Sequence, residues 1–281
     1  MKTIQMLLWG IAQSHLQYLY KNNKNSMLEI LPLNAFDDNY IWCITSGNRV
    51  VVVDPGDADP VLDFIRQHQL VLEAIIVTHH HHDHINGIPR LTEHFPSVPV
   101  YGPHSDRIKA ITHPLNHGDN ISLLCDALAL QVLHVPGHTR EHIAYHNDNY
   151  LFCGDTLFSA GCGRMFEGTP QQFWHSLRTL RSLGDHLEVY CTHEYTEANI
   201  KFAHHLEPNN PVLSEFMHWV SGIRRGQGCT LPTTIKKEKA VNPFLRCDVP
   251  EFVANIKHAL DVNSDNATDV FAAVRAAKDN Y

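Results

Sequence analysis

The 281-residue chain is predicted to be an α/β protein with a helical C-terminal part. Three observations point there. Over residues 27–195, short apolar runs alternate with turn and helix-start signals, the pattern of mixed strands and helices. From residue 196 onward helical periodicity takes over, punctuated by Pro208, Pro211, Pro232 and Pro243. Histidine-bearing segments also stand where several of the predicted strands end, and α/β folds commonly gather their sites at strand ends. The expected division is an extension outside the fold at 1–26, an α/β domain at 27–195 and a helical domain at 196–281.

The elements follow in order. The extension holds the apolar stretch Met6-Leu7-Leu8-Trp9-Gly10-Ile11, short for a signal-peptide core, and ends in the polar Lys21-Asn22-Asn23-Lys24-Asn25-Ser26. Val50-Val51-Val52-Val53 is a strand that runs into the turn Asp54-Pro55-Gly56. Asp59-Pro60 offers an N-cap and an N1 proline for a helix to about His68. Ala74-Ile75-Ile76-Val77 is a buried strand leading directly into a histidine run. Leu128, Leu130 and Val132 alternate as a half-buried strand does, and the segments 143–145 and 150–152 form a hairpin. Thr169-Pro170-Gln171-Gln172 is a capping box opening a helix through Phe173, Leu177 and Leu180, with Gly184 as its stop. Val189-Tyr190-Cys191 is a last strand, and helices are expected near 196–206, 211–224, 249–260 and 266–278.

Composition narrows the function. A formal net charge of -8 without a long basic run argues against nucleic-acid binding, which needs a basic face. No apolar run reaches the roughly 18–20 residues that span a bilayer, so no membrane partner is expected. The seven cysteines are scattered without a CxxC pair, which suits reduced thiols and a cytoplasmic location. The anomaly is histidine, present 22 times; abundance alone identifies no ligand, so spacing must.

Spacing does so at Thr78-His79-His80-His81-His82-Asp83-His84. His79 and His81 stand two apart after a strand, where extended backbone points both rings the same way. Asp83 and His84 follow as the chain turns towards a second point. Imidazoles and a carboxylate so spaced suit zinc or a similar transition metal. A plain surface histidine run would resemble a terminal tag, whereas this one lies mid-chain between the strand and Ile85-Asn86-Gly87-Ile88. Downstream, His138, Asp155 and His193 each follow a predicted strand. Singly each is more often a turn or core residue; together they add to the ligand supply.

This ordered set, H-x-H-x-D-H followed by spaced His, Asp and His, resembles the metallo-β-lactamase superfamily. The resemblance implies an αβ/βα sandwich and two divalent metal ions, zinc with iron or manganese as alternatives. His79, His81 and His138 would hold one ion, Asp83, His84 and His193 the other, with Asp155 bridging. Asp83 and Asp155 would then hold the attacking water. Four further segments resemble the bacterial glyoxalase II family: Ala35-Phe36-Asp37-Asp38-Asn39-Tyr40-Ile41-Trp42, Gly161-Cys162-Gly163-Arg164-Met165-Phe166-Glu167-Gly168-Thr169, Thr192-His193-Glu194-Tyr195-Thr196 and Asn242-Pro243-Phe244-Leu245-Arg246. The terminal Arg275-Ala276-Ala277-Lys278-Asp279 resembles that family's glutathione-binding tail.

That resemblance implies hydrolysis of S-D-lactoylglutathione to glutathione and D-lactate by a monomeric enzyme. Arg164, Phe166, Tyr195, Arg275 and Lys278 would bind the substrate. A glutathione thioester carries two carboxylates, and Arg and Lys are the side chains to receive them. Arg164 stands where many relatives have lysine, and His82 where an aromatic is common; neither departure removes a ligand. A nuclease of this superfamily would be expected to carry a basic extension, and a metal-buffering protein would leave the ordered ligand set unexplained.

Overall fold

The computed structural model describes residues 28–281, and the extension expected at 1–26 lies outside them. The first sheet contains β1 (Glu29–Ala35), β2 (Asn39–Ser46), β3 (Arg49–Val53), β4 (Val71–Ile76), β5 (Val100–Pro103) and β6 (His113–Leu115), in that spatial order. β1, β2 and β3 pair antiparallel; β3 to β6 pair parallel. Parallel neighbours need crossovers. Helix α1 (Asp59–His68) joins β3 to β4, and α2 (His82–Ile85) with α3 (Ile88–His94) lies between β4 and β5.

The second sheet is entered through β7 (Asn120–Leu123), β8 (Leu128–His134), β9 (Ile143–His146) and β10 (Tyr150–Gly154). A small hairpin follows, β11 (Leu157–Phe158) with β12 (Gly161–Cys162), and then α4 (Pro170–Arg181). β13 (Glu188–Cys191) pairs parallel with β10. Beyond it come α5 (Thr196–Leu206), α6 (Pro211–Arg225), β14 (Thr233–Thr234), α7 (Ile235–Val241), a short 3₁₀ turn at Pro243–Leu245, α8 (Pro250–Ala259) and α9 (Ala267–Asp279). Spatial order in this sheet is β14-β13-β10-β9-β8-β7.

Side-chain alternation explains the layering. On β2, Tyr40, Trp42 and Ile44 face the core between the sheets, while Ile41 and Cys43 face the core under α1 and α3. Val51 and Val53 on β3 take the first side, Val50 and Val52 the second. A strand covered on both faces has no polar side, so it appears in sequence as an unbroken apolar run. The αβ/βα sandwich follows. The apolar cluster that fills the space between the sheets extends through the second sheet to Phe173 of α4 and to Phe252, Phe271 and Val274 of the C-terminal helices, so the two parts of the chain share it.

Several expectations are met in detail. Leu128, Leu130 and Val132 are buried while Ala129 and Gln131 are exposed. The Thr169 hydroxyl accepts from Gln172 N and Gln172 Oε1 accepts from Thr169 N, closing the capping box. Others are corrected. The N-cap of α1 is Ala58, and Asp57, not Asp59, supplies a carboxylate, accepting from Asp59 N at 3.0 Å. α4 ends at Arg181 with Ser182 as C-cap, two residues before Gly184. The region after residue 195 is not purely helical, because Thr233–Thr234 pairs with β13 as an edge strand. Two residues carry no periodicity, so only the waiting sheet edge makes them a strand. Among the described residues no helix is long and apolar enough to cross a membrane.

Candidate metal centre

Four strand ends deliver the site. β4 stops at Ile76 and the chain runs on to His79 and His81; the turn of α2 then carries Asp83 and His84. His138 follows β8, Asp155 follows β10 and His193 follows β13. Glycine allows these ends to crowd together at two points. Gly154 has φ +47°, and a Cβ there would lie 2.3 Å from Thr78 Oγ1. At Gly56 a Cβ would lie 1.8 Å from the carbonyl oxygen of Asp83. Any side chain at Gly56 would therefore displace the turn that presents Asp83 and His84.

The seven predicted ligands come together as two clusters. In the first, His81 Nδ1 lies 3.0 Å from His79 Nε2 and 2.9 Å from His138 Nε2, and His138 Nε2 lies 3.4 Å from Asp155 Oδ2. In the second, Asp83 Oδ2 lies 3.5 Å from His84 Nε2 and 3.3 Å from His193 Nε2. Asp155 Oδ1 completes it, 3.3 Å from His84 Nε2 and 3.4 Å from His193 Nε2. Asp155 thus turns one oxygen to each cluster.

The donor chemistry fits a cation at each. The outward nitrogens of three rings are held by acceptors: His138 Nδ1 donates to Arg164 O at 2.7 Å, His84 Nδ1 to Asp54 Oδ2 at 2.9 Å and His193 Nδ1 to Asp38 Oδ1 at 2.8 Å. A proton fixed on Nδ1 leaves a lone pair on Nε2, aimed inward. His84 Nε2 and Asp155 Oδ1 are buried and make no hydrogen bond. Buried polar atoms are seldom left so. Tetrahedral zinc with nitrogen ligands at about 2.0–2.1 Å separates its donors by about 3.3 Å, close to these spacings.

Electrostatics differ between the clusters. Burial lowers the His79 imidazole well below its usual range and takes His81 down to about 4, with His138 adding to the fall. Those rings are neutral. Burial also opposes charge on His84, but the Asp155 and Asp54 carboxylates overcome it and raise the ring to about 10. His193 is raised likewise, against burial, by Asp155, Asp38 and Asp83. Burial disfavours a charged Asp155, yet His193 and His84 hold it well below the carboxylate range. The same carboxylates that raise these two rings would favour a divalent ion in the second cluster.

Five residues of the surround went unremarked as functional in the sequence. Asp54, φ +50°, read only as part of a turn, yet besides His84 it takes the Thr78 amide and hydroxyl, each at 2.7 Å. Thr78 Oγ1 lies 3.1 Å from His79 Nδ1. Asp38 holds His193, and Asn39 Nδ2 donates to Asp83 Oδ2 at 2.9 Å. His142 stacks on His79 with centroids 4.6 Å apart, and its Nε2 accepts from Asp155 N. Position 38 lies in a segment that carries the family resemblance, but its role is not legible there; the pairing of the 38–40 turn with the 192–194 turn brings it to the ring.

The expected substrate-side residues separate into two groups. Phe166, 59% exposed, stands edge-on beside His81 and His138, and Tyr195, 36% exposed, stacks flat on His193 at 4.6 Å. Phe166 thus stands beside the first cluster and Tyr195 beside the second. Arg164 is exposed, with its guanidinium 6.0 Å from the Phe166 ring, and Lys278 Nζ lies over Phe202 and Tyr281. Arg275 is different. It is buried, its Nη1 donating to Cys162 O and Gly163 O and its Nη2 to Asp279 Oδ1. In this arrangement it braces the loop under Arg164, and its burial was not foreseen, because a terminal-helix position says nothing about what packs over it.

Comparison with known proteins gives the following. A family model described as the metallo-β-lactamase superfamily matches residues 35–193, and one described as the hydroxyacylglutathione hydrolase C-terminus matches 194–281. The chain is similar to the hydroxyacylglutathione hydrolase of Aliivibrio salmonicida, 48% identical over 258 residues, covering 91% of this chain and 100% of that one. It is equally similar to that of Nitrosomonas eutropha, 48% over 255 residues with 91% and 100% covered. Among solved structures, ETHE1 from Myxococcus xanthus matches with a TM-score of 0.60 at 26% identity, covering 90% of this chain and 98% of that one. The BLEG-1 B3 metallo-β-lactamase, with a TM-score of 0.57 at 22% identity over 78% of this chain and 99% of that one, shares the fold.

Proposed function

The chain belongs to the hydroxyacylglutathione hydrolase family of the metallo-β-lactamase superfamily, and from that premise we propose that it hydrolyses S-(2-hydroxyacyl)glutathione. S-D-lactoylglutathione would give glutathione and D-lactate, the second step of methylglyoxal detoxification. The observation that carries this reading is the pair of clusters sharing Asp155, one oxygen to each.

His79, His81, His138 and Asp155 would hold one divalent ion, and Asp83, His84, His193 and Asp155 the other. Zinc is the ion we favour, with iron or manganese as alternatives that these ligands also accept. Bound there, two such ions supply Lewis acidity at the thioester carbonyl and bring the pKa of water from 15.7 towards about 7. The residues supply the rest. Asp83 is partly exposed, and although burial opposes its charge, His193, His84 and Asn39 keep it ionised. It can therefore accept a hydrogen bond from the attacking water and fix its orientation. Phe166 and Tyr195, one beside each cluster, offer contacts to the substrate. Arg164 and Lys278 are the cations available to the two glutathione carboxylates, with Arg275 holding the loop beneath. The leaving thiolate, with a reference pKa of about 8.5, departs without a general acid from the protein.

Every candidate ligand comes from one chain, which supports a site complete in a monomer. All seven cysteines are unpaired, which supports a reducing compartment, the cytoplasm. The test is the loss of thioester absorbance from S-D-lactoylglutathione with metal-analysed protein, with and without chelator. Chelator-sensitive turnover at about two metals per chain is expected. Fully metallated protein without turnover would overturn the substrate.

A further inference from the structure

Glu194 lies between His193 and Tyr195, yet its side chain turns away from both. It is buried, and four groups meet its carboxylate. Tyr40 OH donates at 2.9 Å, Thr230 N at 2.7 Å and the Thr230 hydroxyl to the other oxygen, while Arg224 Nη1 stands 3.8 Å off. A hydroxyl has one proton, so with the carboxylate taking that of Thr230, the Thr196 hydroxyl 2.7 Å away donates to Thr230 in turn. Arg224 is on α6 and Thr230 lies between α6 and β14. The C-terminal part of the chain therefore grips the residue next to a proposed metal ligand.

What this grip fixes is one-sided. Tyr40 N donates to Thr192 O and Glu194 N to Asp38 O, tying the 38–40 turn to the 192–194 turn. From that tied pair Asp38 holds His193 Nδ1, and Asn39 holds the Asp83 carboxylate. All these contacts lead to the second cluster. The first cluster is oriented instead by Thr78 at His79 and by Arg164 O at His138, and neither of these groups is among the contacts of the Glu194 carboxylate.

We propose that Glu194 is a positioning residue for the Asp83–His84–His193 half of the site, fastening that half to the C-terminal segment. The proposal rests on the two-metal reading above. Zinc titration against a chromophoric chelator tests it, with native protein, Thr230→Val, Thr230→Ser, Glu194→Gln and Tyr40→Phe. Removing a partner that orients a ligand lowers metal affinity about 10–100-fold, so about tenfold is expected for the second zinc in Glu194→Gln and Thr230→Val. The first zinc should bind within about twofold of native, and Thr230→Ser, which keeps the hydroxyl, should restore the second. Tyr40→Phe removes a single donor and gives a smaller loss in the same direction, and it decides the matter should the other variants fail to fold. Native affinity for both zinc ions in these variants, or equal weakening of both, would overturn the proposal. Native protein that binds fewer than two zinc ions would instead overturn the two-metal reading beneath it.

Discussion

At the scale of single residues, Asp155 is the point where the clusters meet. Its main-chain nitrogen is held by His142, and its two oxygens face three different imidazoles. Substituting a residue that merely orients a ligand costs about 10–100-fold, so losing one that would serve both ions should cost at least about 100-fold in turnover. Asp155→Ala is therefore expected to lose activity and to lower zinc content by plasma emission analysis; near-normal kcat would remove it from the bridging role. Gly56 makes a different point. A methyl group there collides with the Asp83 carbonyl, so Gly56→Ala should reduce activity without touching a ligand. Asp83 and His84 would be displaced together, and kinetics indistinguishable from native would show that the turn can shift freely.

At the scale of elements, the C-terminal part is attached by specific contacts as well as by packing. Arg181 at the end of α4 forms a two-pronged ion pair with Asp248, Nη1–Oδ1 at 2.5 Å and Nη2–Oδ2 at 2.6 Å, and donates to Leu245 O. The Arg181 hydrogen bond holds the Asp248 carboxyl below its usual range. A carboxyl depressed in the folded state adds stability above its unfolded pKa, near 3.8, and loses it as pH falls through the folded value. Asp248 is about one-third exposed, so the pair contributes no more than about 1 kcal/mol. Asp248→Asn should unfold at lower urea than native at pH 7. The gap should narrow as the pH is taken from 5 towards 3; a gap that does not change with pH would assign the loss to packing.

For the whole molecule, the decisive feature is the shared core. Phe271 of α9 meets Phe173 of α4 with ring centroids 5.6 Å apart, and Phe244 lies 6.0 Å from Phe271. Large buried aromatics dominate core energetics, and truncating one costs about 3–5 kcal/mol. Removing residues 196–281 strips several at once and also takes β14 from its sheet edge. The fragment 28–195 is therefore expected to be insoluble or to lack a cooperative thermal transition. A fragment melting like the intact chain would mean that the α/β part is independent.

How much of this was legible beforehand depends on the range of the interactions involved. The candidate ligands could be read because each sits beside a local signal: a strand pattern, a Pro-Gly turn, an H-x-H-x-D-H spacing. The buried strands of the first sheet and the capping box of α4 could be read for the same reason, since period and cap chemistry act within a few residues. Asp38, Asp54 and His142 could not be assigned their roles, because each acts on a group 13 to 155 positions away in sequence. The edge strand Thr233–Thr234 and the burial of Arg275 were hidden likewise. The sequence by itself determined the candidate ligand set, the layered α/β pattern and the helices that follow. Only the tertiary structure decided which atoms face each other, since non-local contact depends on how the whole chain packs.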